Sequence, residues 1–204
     1  MNGIQLLVGL GNPGAEYEAT RHNAGYWWLD QICVETSSKL AVEARFLGLA
    51  GRLKAAGHEA WLLKPTTFMN ASGRSVAALA RFYKILPEAI LVVHDELDLA
   101  PGTVKMKLGG GHGGHNGLKD IAAQLGSKDF WRMRLGIGHP GAGMPNKGDA
   151  VINYVLHPPL RDEASLIEQA IDESTTLLPM LLEGRFEDAM LRLHTKNRLK
   201  DELE

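Results

Sequence analysis

Three short apolar runs, residues 4–10, 60–63 and 89–94, each end in a polar or glycine-containing loop, and the first two loops lead into stretches with apolar residues at helical spacing. Runs of that length read as buried strands, and strand, loop and helix in alternation commit a chain to an α/β layer arrangement. Further strands are expected at 103–108, beyond the Pro101-Gly102 turn, and at 131–137, where large apolar and basic residues alternate. One helix is expected from about His22 to Lys39, capped by Thr20 and with Trp27, Trp28, Ile32 and Leu40 as its apolar side. Others should run from Ser72 to about Lys84, from the end of the 109–117 loop to about Leu125, and over 160–182, where Pro179 should kink or end the helix. The expected fold is α/β: a single domain over 1–204 with a mixed, twisted β-sheet and helices packed on both faces. Ligand sites in such folds lie beyond the carboxyl ends of strands. Asn12, Asn70 and Asn116 all follow such ends.

With 204 residues, 45% of them hydrophobic, the chain can bury a substantial core. No linker, low-complexity stretch or internal repeat divides it. Its opening lacks a basic region followed by a long apolar run, and no apolar segment approaches the roughly 20 residues that a membrane helix needs. A soluble, cytoplasmic protein is expected, with the single Cys33 as a small buried residue rather than a reactive thiol. A net charge of −2 and a pI of about 6.4 exclude a protein that coats nucleic acid but leave room for a local basic patch.

The three asparagines and His22 offer a coherent chemistry. A carboxamide presents one acceptor and two donors without charge, so several of them can hold a peptide backbone and an oxyanion while one imidazole moves protons. His22, in the first helical turn, would feel the positive end of the helix dipole, which favours the neutral ring. Asp95 is the best-placed acid to accept the other N–H of that ring; without such a partner, His22 is a solvated surface histidine. Gly9 to Gly14 matches the G-x-G-x-x-G dinucleotide pattern, but Pro13 removes a donor from the turn and the helix starts late, so a loop presenting Asn12 to substrate is favoured over a nucleotide cradle or a plain turn.

The loop from Gly109 to Gly117 lacks the lysine of a phosphate loop, since Leu118 follows Gly117. Its His115 and Asn116 read as substrate contacts, the alternatives being solvated histidines or a metal site of His112 and His115 with Asp95 or Asp98. Lys105 and Lys107 share one strand face, as do Arg132 and Arg134. These cations would hold phosphates if that face approaches the glycine-rich loop, although for Arg132 a solvated position is favoured. Phe68 and Met69 serve either the core or a hydrophobic wall for substrate.

Four motifs now stand in order: Val8-Gly9-Leu10-Gly11-Asn12-Pro13-Gly14 with Tyr17 and Thr20-Arg21-His22-Asn23; Lys64-Pro65-Thr66-Thr67-Phe68-Met69-Asn70-Ala71-Ser72-Gly73; His94-Asp95-Glu96-Leu97-Asp98; and Gly109 through Leu118. Together they resemble the bacterial-type peptidyl-tRNA hydrolases, from Leu7 to roughly Arg198, with the segment from Gly141 to Asp149 and the tail after His194 less typical. The resemblance implies hydrolysis of the ester between a peptide and the 3′ ribose of tRNA, recycling stalled peptidyl-tRNA. It implies His22 as general base, Asp95 as its stabilising acid, Asn70 and Asn116 on the peptide backbone, water and oxyanion, and Asn12 in telling a blocked amine from a free one. Tyr17, Phe68, Met69 and His115 follow as substrate contacts, and Lys105, Lys107 and Arg134 as tRNA phosphate contacts. No metal, cofactor, membrane or obligate protein partner is implied, and a monomer is expected.

Overall fold

The structure, a computed structural model, describes residues 3–140 and 147–201. In chain order its elements are β1 (Leu6–Gly9), α1 (Ala24–Thr36), β2 (Ala41–Glu43), β3 (Gly48–Ala55), β4 (His58–Pro65), α2 (Ser72–Phe82), β5 (Ile90–Glu96), β6 (Val104–Leu108), α3 (Asn116–Leu125), β7 (Trp131–Gly136), α4 (Lys147–Val155), α5 (Arg161–Thr175), α6 (Leu178–Glu183) and α7 (Phe186–Asp201). One sheet gathers the strands in the order β2-β3-β4-β1-β5-β7-β6. β4, β1, β5 and β7 run parallel, whereas β3 and β6 run antiparallel to β4 and β7. The sheet is therefore mixed, as expected.

β1 lies at the centre and every residue of it is buried, because a strand covered on both faces has no polar side to present. Leu7, Leu91, Val93, Met133 and Leu135 pack on one face against Trp28 of α1, Ile171 of α5, Leu181 of α6 and Phe186 of α7. Leu6, Val8, Ile90 and Val92 pack on the other against Val76 and Leu79 of α2 and Leu118 and Ile121 of α3. Neighbouring residues of one strand thus belong to different cores, which is the pleat's period of two. The buried Trp28 indole also donates to the Ser174 hydroxyl at 3.0 Å, tying α1 to α5.

Two glycines set how closely α1 lies on the sheet. A Cβ on Gly9 would collide with the Gly25 carbonyl, and one on Gly25 with the Val93 carbonyl. Bare backbone at both positions lets the start of α1 rest against the ends of β1 and β5.

Several expectations need correction. Thr20 does not cap a helix beginning at His22: its hydroxyl donates to the Tyr17 carbonyl, Arg21–Asn23 form a 3₁₀ turn, and α1 starts at Ala24. Asp95 lies inside β5, opposite Leu135, instead of just past the strand end. Pro179 falls in the first turn of α6, where its missing N–H costs nothing, so it opens a helix after a break instead of kinking one. Strands β2 and β3 and helices α4 and α7 are also unforeseen: β2 is three residues long and mostly exposed, too short to carry a period, and β3 breaks its alternation with two glycines. The largest difference concerns β6. Because it runs against β7, with Leu108 opposite Trp131, its carboxyl end lies at the far end of the sheet from those of β1, β4, β5 and β7, and the 109–115 loop must return across the sheet to deliver Asn116.

No described helix is long and apolar enough to cross a membrane. Residues 141–146, within the less typical segment at Gly141, lie outside the described residues.

Candidate active site

A cleft of about 910 Å³ opens above the carboxyl ends of the parallel strands. Asn12, His22, Asn70, Asp95, His115 and Asn116 all line it, as do Tyr17, Phe68 and Met69. Residues spread over more than a hundred positions of sequence therefore share one crevice.

Asp95 is its electrostatic centre. The side chain is 4% exposed, and one oxygen, Oδ1, lies 2.9 Å from Nδ1 of His22 and 3.1 Å from Nε2 of His115. Which protons occupy these bonds follows from a backbone amide. The N–H of Leu118, at the start of α3, donates to Nδ1 of His115 at 3.3 Å; that nitrogen must present a lone pair, so the proton of His115 sits on Nε2 and goes to Asp95. An ionised carboxylate only accepts, so His22 also donates, from Nδ1. Its Nε2 is left facing the cleft as a proton acceptor.

Burial disfavours charge on both partners, yet their proximity wins. Burial alone would push the His22 pKa down, but the charge of Asp95 and its hydrogen bond raise it above the ordinary value. Burial would push Asp95 up, and the two histidines hold it well below the ordinary carboxylate range. The helix dipole is not what sets the state of His22: the ring sits on the 3₁₀ turn before α1, and the buried acid dominates. His94, the residue before Asp95 in β5, is 2% exposed. Burial, with repulsion from His115, drives its pKa down to about 3, so it is a neutral ring whose Nδ1–H donates to the Asp95 carbonyl at 2.7 Å.

The asparagines are held differently. Asn23 pairs its carboxamide with both the N–H (2.8 Å) and the C=O (3.0 Å) of Asn12, much as a neighbouring strand would. That leaves α1 without a side-chain cap at Asn23 but fixes the first loop. Oδ1 of Asn12 then accepts the Met69 N–H at 2.8 Å, so its Nδ2 donors remain for the cleft. Asn70 and Asn116 are exposed on the cleft wall. Tyr17 and Phe68 meet edge to face, ring centroids 6.3 Å apart, and Phe68 is 59% exposed while Met69 is buried.

A family model described as peptidyl-tRNA hydrolase matches residues 6–201. The chain belongs to the peptidyl-tRNA hydrolase family. A peptidyl-tRNA hydrolase of Methylobacillus flagellatus is 68% identical over 199 residues, 97% of this chain and 100% of that protein. One from Nitrosospira multiformis is 55% identical over 96% of this chain and 100% of its own length. Among solved structures, peptidyl-tRNA hydrolase from Acinetobacter baumannii aligns with a TM-score of 0.90 at 45% identity, covering 95% of each chain.

Within this peptidyl-tRNA hydrolase fold, the basic residues are sorted unevenly. Lys105 stands opposite Arg134 and Lys107 opposite Arg132 on neighbouring strands, and Gly110 abuts the Lys107 side chain, so the basic face does approach the glycine-rich loop. None of the four lines the cleft. Arg134 is bonded to Glu96 at 2.8 Å. Arg132 is not solvated: it is 1% exposed and bonds the carbonyls of Gly111 and Gly110 at 2.6 and 2.7 Å. Lys107 has its pKa lowered by partial burial and then by Arg134 and Arg132, with Glu96 opposing. Cys33 is half-buried, with its thiol pKa pushed up by burial and by Asp30, which keeps it unreactive.

Among the described residues the metal-competent side chains that converge are His22, Asp95 and His115, not His112 with Asp98; His112 instead accepts the Gly114 N–H. That trio fits a cation poorly. Metal ligation by Nε2 of His115 would move its proton to Nδ1, against the Leu118 N–H. Sequence reasoning also missed the apolar wall of Val151, Ile152, Val155 and Leu156 at α4, although its helical spacing was readable. Asn23 and His94 lie within the motifs, but their side-chain roles are decided by burial. Nothing local to them marks their burial.

Proposed function

We propose that this chain hydrolyses the ester joining a peptide, or an N-blocked aminoacyl group, to the 3′ ribose of tRNA, with His22 as general base. The observation that carries this reading is the contact of Nδ1 of His22 with buried Asp95 at 2.9 Å, in one cleft with three asparagines; with the proton on Nδ1, Nε2 is the nitrogen that can accept one. Nε2 takes a proton from water as the oxygen attacks the ester carbonyl, and Asp95 stabilises the imidazolium that forms; collapse of the tetrahedral intermediate then breaks the ester C–O bond, and the imidazolium returns the proton to the departing 3′ oxygen of the ribose. Asn70 and Asn116 hold the peptide backbone, the water and the oxyanion; Asn12 presents its amide donors to the blocked nitrogen; Tyr17, Phe68 and Met69 border the substrate. An ester is far easier to cleave than an amide, so one base and a preorganised donor set suffice, the base supplying about 10²–10⁴-fold.

The basic face formed by Lys105, Lys107 and Arg134 takes the phosphates of the acceptor end. About three such contacts at roughly −0.7 each give a log–log salt slope near −2, and so few are compatible with the net charge of −2. We read the protein as a cytoplasmic monomer that needs no cofactor and no obligate protein partner. Incubation with an N-acetyl-aminoacyl-tRNA and with the unblocked aminoacyl-tRNA should release tRNA mainly from the blocked form. His22→Ala should lose at least about 10²-fold in turnover with the fold intact; a near-normal rate would remove the base from this scheme.

A further inference from the structure

Arg132 has no part in that scheme, yet it occupies an expensive position. It projects from β7 on the face of Lys107 and Arg134, and no carboxylate within ion-pair distance is found among the described residues. Its neighbours include the Phe130 ring, 4.9 Å from the guanidinium carbon, and Nε finds no acceptor. Burying a cation without a counter-ion is strongly unfavourable unless its hydrogen bonds are worth the cost. Those bonds are two, short, and both to the 109–115 loop: Nη1 to the Gly111 carbonyl at 2.6 Å and Nη2 to the Gly110 carbonyl at 2.7 Å.

That loop needs an anchor. Gly109, Gly110, Gly113 and Gly114 all have positive φ, and a run of glycines has many conformations to lose on ordering. Besides Arg132, the Gly109 N–H is held by the Phe130 carbonyl at the loop's start, and within the loop the His115 N–H bonds the His112 carbonyl and the Gly114 N–H the His112 ring. At its end stand His115, donor to Asp95, and Asn116.

We propose that Arg132 is a positioning residue: by gripping the Gly110 and Gly111 carbonyls it sets the returning loop so that His115 reaches Asp95 and Asn116 faces the cleft. The inference rests on the reading of His22 and Asp95 as the catalytic pair. Arg132 therefore acts on the chemistry through the loop, whereas Lys107 and Arg134, more open on the same face, are left to meet phosphate.

The test compares the wild type with Arg132→Met, Arg132→Lys and Gly110→Ala in three measurements. These are kcat and KM on N-acetyl-aminoacyl-tRNA, their salt dependence, and the titration of the His22 ring by NMR in the absence of substrate. The groups facing His22 are Asp95 from β5 and His115 from the start of α3, with His94 behind His115; Arg21 on its own turn is occupied by the carbonyls of Tyr154, His157 and Pro158 and by Glu163. In Arg132→Met the turnover should fall about 10²-fold, the scale of a misplaced catalytic group, while KM and the salt slope hold. The His22 titration should move up, because Asp95 loses the donor it shares with His115. Arg132→Lys should recover part of both effects. Gly110→Ala, strained at φ +94° and with its methyl against Lys107, disturbs the loop without touching β7 and should reproduce the fall in kcat and the titration shift, whatever it does to KM through Lys107. A rise in KM with a flatter salt dependence, and with kcat and the titration intact, would make Arg132 a phosphate contact and overturn the proposal. So would a folded Arg132→Met protein with no change at all. If that variant does not fold, an unmoved His22 titration in both other variants decides against the proposal. Since the titration needs no substrate, failure of the proposed activity leaves it readable.

Discussion

Replacing Asp95 by asparagine removes one charge and almost no volume, and the surroundings of Asp95 dictate how the new group must sit. Both His22 and His115 donate to the same oxygen. A carboxamide can satisfy both only with its own oxygen in that place, because the Leu118 N–H prevents His115 from switching its proton to the other nitrogen. The tautomer of His22 is thus preserved in Asp95→Asn, and what disappears is the charge. A hydrogen bond to a charged group contributes about 1.5–3 kcal/mol, and opposite charges with centres roughly 4 Å apart gain about 4 kcal/mol at an effective dielectric of 20. Since an acceptor remains, the imidazolium formed in the transition state should lose about 2–4 kcal/mol, or roughly 30- to 1,000-fold in kcat. The pH dependence should change too. In the wild type the rising limb of kcat/KM should track loss of the His22 proton and lie above the ordinary histidine value, since Asp95 overcomes the opposing effect of burial. In the variant burial acts unopposed, and the limb should move to lower pH while the plateau drops. Hydrolysis of N-acetyl-aminoacyl-tRNA between pH 5 and 9 measures both. A limb that stays in place, or moves up, would refute the argument that Asp95 sets the state of His22.

Asn12→Asp retains an oxygen for the Met69 N–H but replaces amide donors with charge that pairs with a free ammonium. Its preference for blocked over unblocked aminoacyl-tRNA should narrow about tenfold, the scale of one hydrogen bond, as read by parallel deacylation assays. Lys107→Ala should raise KM without changing kcat and reduce the salt slope by roughly 0.7 to 1, measured by rates from low to moderate salt. His94 affects acid stability: below pH 6.5 the unfolded chain takes up a proton that the folded chain refuses until about pH 3, so stability falls as pH drops across that window, by up to roughly 1.4 kcal/mol per pH unit. His94→Gln removes this contribution, and acid titration followed by circular dichroism should find its unfolding midpoint at lower pH.

Reading residues in order was enough for the α/β class and for most of the cleft. Apolar runs such as 4–10 and 89–94 reveal buried strands because alternation and burial are local properties of a chain. Asn12, His22, Asn70, Asp95 and Asn116 were legible because each sits in a motif of adjacent residues whose side-chain chemistry is evident without coordinates. Packing decided the rest. Whether β6 lies along or against β7 depends on pairing with a strand more than twenty residues away, and that direction turns the 109–115 loop into a return path requiring an anchor. Alternating basic residues look alike in a sequence; only the course of that loop separates buried Arg132 from half-buried Arg134. The sharing of one Asp95 oxygen by two rings depends on β5, the turn before α1 and the start of α3 meeting at one point, and no periodicity encodes a meeting of segments so far apart.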